Sequence, residues 1–453
     1  MSFDHLPSHE TRPRTSTPLR TRSGAGAGSG DRARAHVWRW LPVYLLLGSA
    51  AGGLSLPLAS CSSSNNAGAA DAGSDADATA EGGGYDTSFA IPLGDSAGFL
   101  PDVYLDAPFP SDDGNASVPD ANACVTIACP GTCTAGRCFV QLAHNGAYDL
   151  AVQAGTVYWT NPGVMPGGGS VLSIPSVLSS TTTAPTLLAA GQTTPNGIAV
   201  NATNLYWSNN SATAGAILSG PLSELTDAGT SQAADAGALT PTALASGQAD
   251  PLAMAIDATN VYWVSQGSIS AANGTVVKVP LNGGTPITLA SGQSDPIAVA
   301  VDATNVYWID LTAVGTNAYV GTVLKVPIAG GAVTTLAFGQ SSPTAIAVDG
   351  TYVYWTQINP GAVVKAPVGG GSVITIAGNI TTGTLGGLAV DSQNLYWSIQ
   401  GQKVGAIVSS PLGGNTVVTL KGGLDYPRAM ATDSTSIYWT DNIDGTVSKL
   451  TPK

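Results

Sequence analysis

The sequence predicts an all-β fold made of seven copies of one short unit. A Tyr-Trp pair recurs at gaps of 48, 56, 45, 47, 42 and 42 residues, and these pairs hold seven of the nine Trp. A period in the forties is typical of a propeller blade, with one four-stranded sheet per repeat. Charged residues are only 10% of the chain, while Gly numbers 56 and Pro 29, which favours short strands and turns over amphipathic helices. The pattern predicts a seven-bladed β-propeller over residues 139–453.

The pairs are Tyr158-Trp159, Tyr206-Trp207, Tyr262-Trp263, Tyr307-Trp308, Tyr354-Trp355, Tyr396-Trp397 and Tyr438-Trp439. The fourth unit shows how each strand is predicted. PIAVAVD is a short apolar first strand, and ATN makes a turn in which the Asp302 carboxylate can accept hydrogen bonds from backbone N–H groups. VYWID is the second strand, GTVLKVPI the third and VTTLA the fourth, with AGG as a tight hairpin between the last two.

The first strand of each unit is predicted to line the axis, where blades converge and side chains must be small. Two residues before the turn residue there is always Ala, from Ala151 in the first unit to Ala431 in the last. Four residues before the turn residue there is Gly or Ala, except in the first unit, which has Asp149 there. Alternation along the second strand points Tyr and Trp to opposite faces, so each is predicted to pack against a different neighbouring blade. The alternative is an aromatic cage for a ligand.

The ring is predicted to close through a strand that lies before the first unit. The last unit stops after its third strand, whereas Phe139–Ala143 precedes the first unit and aligns with a fourth strand. This segment should supply the outer strand of the seventh blade and leave no open edge.

Four Cys stand just before that closing strand, within residues 121–138. They are Cys124, Cys129, Cys133 and Cys138. An even number of Cys in an exported chain predicts a small knot of two disulfides, in one of three pairings. Zinc binding is the alternative, since four closely spaced Cys can hold that metal.

Residues 61–120 are predicted to be a disordered tether. They are mostly Ser, Ala, Asp and Gly, and residues 62–120 carry ten Asp and one Glu. Such a segment buries too little apolar surface to offset its chain entropy, and its like charges extend it.

Residues 1–60 are predicted to be an export signal, with a basic leader followed by the apolar stretch WLPVYLLLGSAAGGLSLPLAS. Leu58-Ala59-Ser60-Cys61 resembles the bacterial lipobox. The resemblance implies cleavage before Cys61 and lipidation of its thiol. Because Ser62 rather than Asp follows, it also implies an exported chain anchored by lipid at the outer membrane, facing the periplasm or the cell surface. The alternative is a permanent membrane span.

The seventh unit resembles a known family of propellers. Tyr438-Trp439-Thr440-Asp441 spells the motif of the YWTD propellers of lipoprotein-receptor proteins, and the repeats are similar to YWTD and NHL-like units over residues 139–453. The other units depart from the motif after Tyr-Trp, and the familiar YWTD ring has six blades, so no binding residues are carried over. The resemblance implies a rigid disc, expected as a monomer, whose loops bind a partner.

Net charge excludes one class of partner. Residues 61–453 hold nine Lys or Arg and 26 acids, a net charge of −17. Nucleic-acid binding needs clustered Lys and Arg, so no nucleic acid is expected. A protein, peptide or envelope glycan is the expected partner, in addition to the membrane that holds the lipid.

Two sets of loops should share one face of the disc: those entering the first strands, and those joining second and third strands. The candidate binding residues at the channel mouth on this face are His144, Asp149, Asp250, Asp295, Asp425 and Arg428. The four Asp can converge on a hard cation such as Ca²⁺, or they can cap loops in solvent. After the signal the chain has one His, so no catalytic residue is assigned. The main hypothesis is a binding or scaffold module; the alternative is a lyase or hydrolase with a divalent cation.

Overall fold

The repeat units fold into seven antiparallel sheets set around one axis, as the sequence predicts. The computed structural model describes residues 129–165, 167–177, 184–225, 239–267, 272–315 and 318–453. The predicted signal, the tether, Cys61 and Cys124 lie outside the described residues. Within them, no helix is long and apolar enough to cross a membrane.

The strands follow one another blade by blade. The chain starts with a hairpin of β1 (Thr132–Thr134) and β2 (Arg137–His144). Blade 1 comprises β3 (Leu150–Gln153), β4 (Thr156–Asn161), β5 (Gly169–Pro175) and β6 (Thr186–Gln192). Blade 2 comprises β7 (Pro195–Val200), β8 (Asn204–Asn209), β9 (Gly215–Pro221) and β10 (Thr242–Gln248), with a 3-10 turn at Leu222–Leu225. Blade 3 comprises β11 (Pro251–Ile256), β12 (Asn260–Ser265), β13 (Gly274–Pro280) and β14 (Ile287–Gln293).

The remaining blades repeat the pattern. Blade 4 comprises β15 (Pro296–Val301), β16 (Asn305–Gly315), β17 (Ala318–Pro327) and β18 (Thr334–Ser341). Blade 5 comprises β19 (Pro343–Val348), β20 (Tyr352–Gln357), β21 (Ala362–Pro367) and β22 (Ile374–Ala377). Blade 6 comprises β23 (Thr384–Val390), β24 (Asn394–Gln400), β25 (Gly405–Pro411) and β26 (Val418–Leu424). Blade 7 takes β27 (Pro427–Thr432), β28 (Ile437–Asp441) and β29 (Thr446–Thr451) from the end of the chain.

Blade 7 is completed by the start of the repeat region, which confirms the predicted closure. Its strand order is β27-β28-β29-β2-β1, and β2 pairs with β29 from Cys138 opposite Thr451 to His144 opposite Thr446. The strand is longer than the predicted Phe139–Ala143, because backbone pairing continues to both sides of it. Short β1 adds a fifth strand, so the Cys-rich hairpin extends the sheet of blade 7.

A disulfide joins Cys129 to Cys138, whose Cα atoms are 5.4 Å apart. Cys133 is disulfide-bonded as well. Disulfide bonding is therefore seen at Cys129, Cys133 and Cys138, whereas the predicted two-disulfide knot also includes Cys124, which lies outside the described residues.

The Tyr-Trp pairs form the contacts between blades. All seven Trp of the pairs have 0% exposure, and each described apolar cluster joins the Tyr of one blade to the Trp of the next, as with Tyr354 and Trp397. This burial confirms the predicted blade-to-blade core and excludes the aromatic cage. The inner strands are as crowded as predicted: a Cβ added at Gly387 would lie 2.0 Å from the Arg428 carbonyl oxygen of the next blade.

The Tyr hydroxyl is held by the turn that precedes it. In blade 4, Tyr307 donates to Asp302 Oδ2 at 2.7 Å, while Asp302 Oδ1 accepts from the N–H groups of Thr304 and Asn305 at 2.7 and 2.8 Å. Burial alone would raise the pKa of Asp302, but these hydrogen bonds outweigh it and lower the pKa. Burial and the Asp302 charge raise the pKa of Tyr307. The same Tyr-Asp bond recurs with Asp257, Asp349, Asp391 and Asp433.

These turn carboxylates make folding sensitive to acid. Their pKa values are lowered in the folded chain, that of Asp391 to about 2, so their stabilisation is present above about pH 4 and is lost as the pH falls through the folded values. We expect Asp302→Asn to flatten the loss of stability below about pH 4. The substitution should cost under about 1 kcal/mol at neutral pH, because Asn201 already faces Tyr206 in blade 2 with its amide 3.3 Å from the hydroxyl. Urea midpoints measured across acid pH check this, and an unchanged acid slope in the variant would contradict it.

The residue after each Tyr-Trp pair links neighbouring inner strands. Ser208 Oγ accepts from Gly197 N at 2.9 Å in its own blade and donates to the Leu252 carbonyl of the next at 2.9 Å. A hydroxyl at this position makes a bond to the next blade in five blades, from Thr160, Ser208, Thr356, Ser398 and Thr440. Blades 3 and 4 carry Val264 and Ile309 there and have no such hydroxyl.

Candidate functional site

Strand direction sorts the loops onto two faces of the disc. One face carries the loops that enter each first strand and the loops that join second and third strands; we call it the loop face. The opposite face, the turn face, carries the Asp-Tyr turns. All six predicted candidate residues lie on or beside the loop face, as the antiparallel order of the blades requires.

Asp149 lies at the junction of blades 7, 1 and 2. Its Oδ1 accepts from Leu150 N at 2.9 Å, and its Oδ2 accepts from Ile198 N at 3.2 Å. Burial raises the pKa of Asp149 to about 6, against the opposing effects of both N–H groups and of the positive charge of Arg428. Asp149 therefore connects the inner strands of blades 1 and 2.

Arg428 and Tyr148 form a stacked pair beside Asp149. The guanidinium carbon of Arg428 lies 3.6 Å from the centre of the Tyr148 ring, and both residues are partly exposed. The Tyr148 hydroxyl is buried and has no hydrogen-bond partner. His144 ends β2 nearby and is exposed. These residues bring an aromatic ring and a cation to the loop face between blades 7 and 1.

Asp425 is paired with a lysine from the preceding blade. Lys403 Nζ lies 2.5 Å from Asp425 Oδ2, and Lys403 N donates to Oδ1 at 2.8 Å. The Lys403 charge and hydrogen bonds lower the pKa of Asp425. Asp441 lies close by, and burial raises its pKa to about 6, with smaller contributions from the charges of Asp444 and Asp425.

Asp250 and Asp295 occupy equivalent positions before blades 3 and 4. Each precedes a Pro and has a positive φ, 48° and 52°. Asp295 is 3% exposed, and Oδ1 of its carboxylate has no partner. Asp310, in β16, is its neighbour, and the negative charge of Asp295 contributes to raising its pKa.

The four Asp predicted to share a cation are not brought together. Asp149 lies beside Arg428, Asp425 is ion-paired to Lys403, and Asp250 and Asp295 belong to separate loops. Over the described ranges, no group of three or more His, Cys, Asp or Glu is arranged to hold a metal ion. The positions of the four predicted Asp therefore do not support a cation site at the channel mouth.

The predicted candidate residues did not include Lys403, Tyr148, Asp310 or Asp441. The last two occupy one repeat position, two residues after Trp, and that shared position is the signal that identifies them. The described loop face holds seven carboxylates against the two cations Lys403 and Arg428: those of Asp149, Asp250, Asp295, Asp310, Asp425, Asp441 and Asp444. On the turn face, Lys278, Lys325, Lys365 and Lys449 donate to backbone carbonyls of the following blade.

Most of the exposed large aliphatic side chains on the loop face lie in one sector; the exception is Val314 at the end of β16 in blade 4, which is 57% exposed. Val164 and Met165 of blade 1 are 103% and 69% exposed, Val404 of blade 6 is 43% exposed and Ile443 of blade 7 is 59% exposed. All four lie in loops that join second and third strands, on three blades that are neighbours around the ring. We call this set the apolar arc. The Arg428-Tyr148 pair lies in the same sector.

Comparison with solved structures finds proteins that align with this chain. No protein-family model matches it, and no curated protein does. Virginiamycin B lyase from Staphylococcus aureus aligns with a TM-score of 0.50 at 12% identity, over 70% of this chain and 98% of the lyase. Kuenenia stuttgartiensis hydrazine synthase gives a TM-score of 0.49 at 14% identity, over 68% and 96%. A chain of a nidogen/laminin complex gives 0.39 at 20%, over 53% and 85%.

At these identities the likeness extends to the fold alone. Blade count, closure and the repeated Tyr-Trp core define the class of this protein: it is a seven-bladed β-propeller repeat protein.

Proposed function

We propose that this chain is an exported, lipid-anchored protein of the outer membrane that displays its propeller as a binding module for a protein or peptide. The observation that carries the binding role is the apolar arc. Its four exposed aliphatic side chains lie on three neighbouring blades of the face that carries the loops of variable length, and exposed apolar patches commonly mark interaction sites. The anchor rests on the lipobox-like Leu58-Ala59-Ser60-Cys61.

The composition of the sector supports a protein partner. Tyr and Arg are enriched among residues that dominate binding energy, and Arg428 and Tyr148 lie between the arc and the channel mouth. Apolar side chains with charged groups around them are the usual anatomy of a protein interface. The loops also vary in length from blade to blade, whereas the strands repeat. Binding specificity is therefore expected to reside in the loops.

A glycan partner is less favoured by the same residues. Aromatic side chains commonly stack on sugars, but the Tyr-Trp pairs have only 0–5% exposure and so cannot contact a glycan. The predicted alternative, a lyase or hydrolase with a divalent cation at the channel mouth, has no supporting group among the described residues, since the four predicted Asp lie apart.

The test compares two pairs of exposed aliphatic residues. In one variant Met165→Asp and Ile443→Asp alter the apolar arc; in the matched control Val177→Asp and Ile374→Asp alter the turn-face side, where the side chains are 76% and 43% exposed. Each purified chain is immobilised and exposed to cell-envelope extract, and bound proteins are quantified by mass spectrometry. We expect one enriched partner whose yield falls about ten-fold or more in the arc variant and is unchanged in the control.

Equal capture by both variants would place the binding surface elsewhere, and enrichment of no protein would reject the binding module. The anchor is tested separately: fatty-acid labelling of the wild-type chain should disappear in Cys61→Ala.

A further inference from the structure

Blade 4 contains two carboxylate oxygens that are buried and lack partners. They are Oδ1 of Asp295 and Oδ1 of Asp310. Asp295 is 97% buried, since its exposed fraction is 3%. Burying a carboxylate oxygen without a hydrogen bond or counter-charge costs free energy. Two such oxygens in one place therefore need a physical explanation.

Strand pairing brings the two residues together. Asp295 precedes Pro296, and Pro296 is the Cα partner of Asp310 across β15 and β16. Oδ2 of Asp310 accepts from Ser294 N at 3.1 Å, and the Gln266 side chain of blade 3 hydrogen-bonds Asp295. The Trp308 side chain also hydrogen-bonds Asp310. The oxygen that is both deeply buried and without a partner is therefore Oδ1 of Asp295, and Oδ1 of Asp310 beside it has no partner of good geometry.

Blade 7 differs from blade 4 at this place. Asp441 has the same repeat position as Asp310, since its Cα partner is Pro427 as that of Asp310 is Pro296. The residue before that Pro is Asp295 in blade 4 but Tyr426 in blade 7, with φ of 52° and 54°. Asp425, which Lys403 neutralises, corresponds to Ser294. The described cations of the loop face, Lys403 and Arg428, belong to blades 6 and 7.

We propose that Asp295 and Asp310 are two ligands of a divalent-cation site at the seam of blades 3 and 4. Water and backbone or amide oxygens complete the shell of the cation, as Ca²⁺ and Mg²⁺ accept. This site is distinct from the predicted channel-mouth cluster, because Asp149 and Asp425 are engaged elsewhere. With two protein carboxylates, the expected affinity is in the range of about 10⁻⁴ to 10⁻³ M typical of extracellular modules.

The electrostatics of the pair agree with this. Burial raises the pKa of Asp310 to about 7, and the neighbouring Asp295 charge adds to the effect. Burial also raises the pKa of Asp295. Both groups resist ionisation together unless a positive charge joins them.

Terbium luminescence excited through Trp tests the site in the full-length chain. The Trp308 side chain contacts Asp310, so an ion held there receives energy from the indole. We expect saturable Trp-sensitised emission that Ca²⁺ competes away. Asp310→Asn and Asp295→Asn should weaken binding by roughly ten-fold or more. Asp441→Asn, the matched control at the same repeat position, should leave the emission unchanged. The tether carboxylates are common to every variant and cannot cause a difference between them.

The melting temperature gives a second, independent readout. Millimolar Ca²⁺ should raise it relative to EDTA in the wild type, and this rise should be lost in Asp310→Asn.

Two results overturn the proposal. One is a wild-type titration that Asp310→Asn leaves unaltered. The other is a melting temperature that Ca²⁺ does not change but that rises as the pH falls from about 8 to about 6. If Asp310→Asn removes this rise, the pair holds a shared proton instead of a metal.

Discussion

Replacing Trp355 by Ala should lower the free energy of unfolding by about 3–5 kcal/mol, because a fully buried indole is lost and the rigid blades cannot close the cavity. Trp355 has 0% exposure and packs in one cluster with Tyr307 of the preceding blade. Its indole N–H donates to Gln340 Oε1 at 3.1 Å, so the variant also leaves a buried acceptor without that partner. Equilibrium urea unfolding measures the change.

The control is Phe338→Ala in β18, the outer strand of blade 4. Phe338 is an aromatic residue with 79% exposure, so its loss should change stability by less than about 0.5 kcal/mol. Equal effects of the two substitutions would show that the Tyr-Trp pairs are not the core of the ring.

Replacing Leu142 by Ala should lower the free energy of unfolding by about 2–5 kcal/mol, because it weakens the strand that closes the ring. Leu142 is 5% exposed and packs with Leu150 and Trp159 of blade 1 and with Tyr438 of blade 7. The substitution leaves the backbone pairing of β2 with β29 in place, but it removes core packing from the seam between the two ends of the repeat region. The measurement is the urea midpoint with its slope.

Leu187→Ala is the matched control, since Leu187 also lies in an outer strand but is 48% exposed. It should cost less than about 1 kcal/mol. A small effect at Leu142 would mean that the ring is held shut by blade contacts without the closing strand.

Much of the architecture was readable from the sequence, because it depends on local and periodic features. The Tyr-Trp period predicted the number of blades, the missing fourth strand predicted the closure, and Asp302 was predicted to hold its turn. Each depends on residues within one unit, or on the count of units, and needs no knowledge of how two units face each other.

The Gln residues at one repeat position make a contact between blades that the sequence does not predict. Gln192, Gln248, Gln293 and Gln340 share one repeat position, which predicts that they tie loops to backbone. Each amide does donate to a carbonyl two residues earlier. Three of them also accept the indole N–H of the next blade, for example Gln293 from Trp308 at 3.0 Å. Nothing within a single repeat indicates that second bond.

The sequence by itself determined the all-β class, the seven units, their closure by the strand before the first unit and the burial of the aromatic pairs, because each is a matter of period and polarity along the chain. Only the tertiary structure decided the site. It separated Asp149 and Asp425 from Asp295, gave Asp425 a lysine partner, and left Asp295 beside Asp310 without one. The physical reason is that a charge is compensated by whatever lies across the seam between blades, and that neighbour is some forty residues away in the chain.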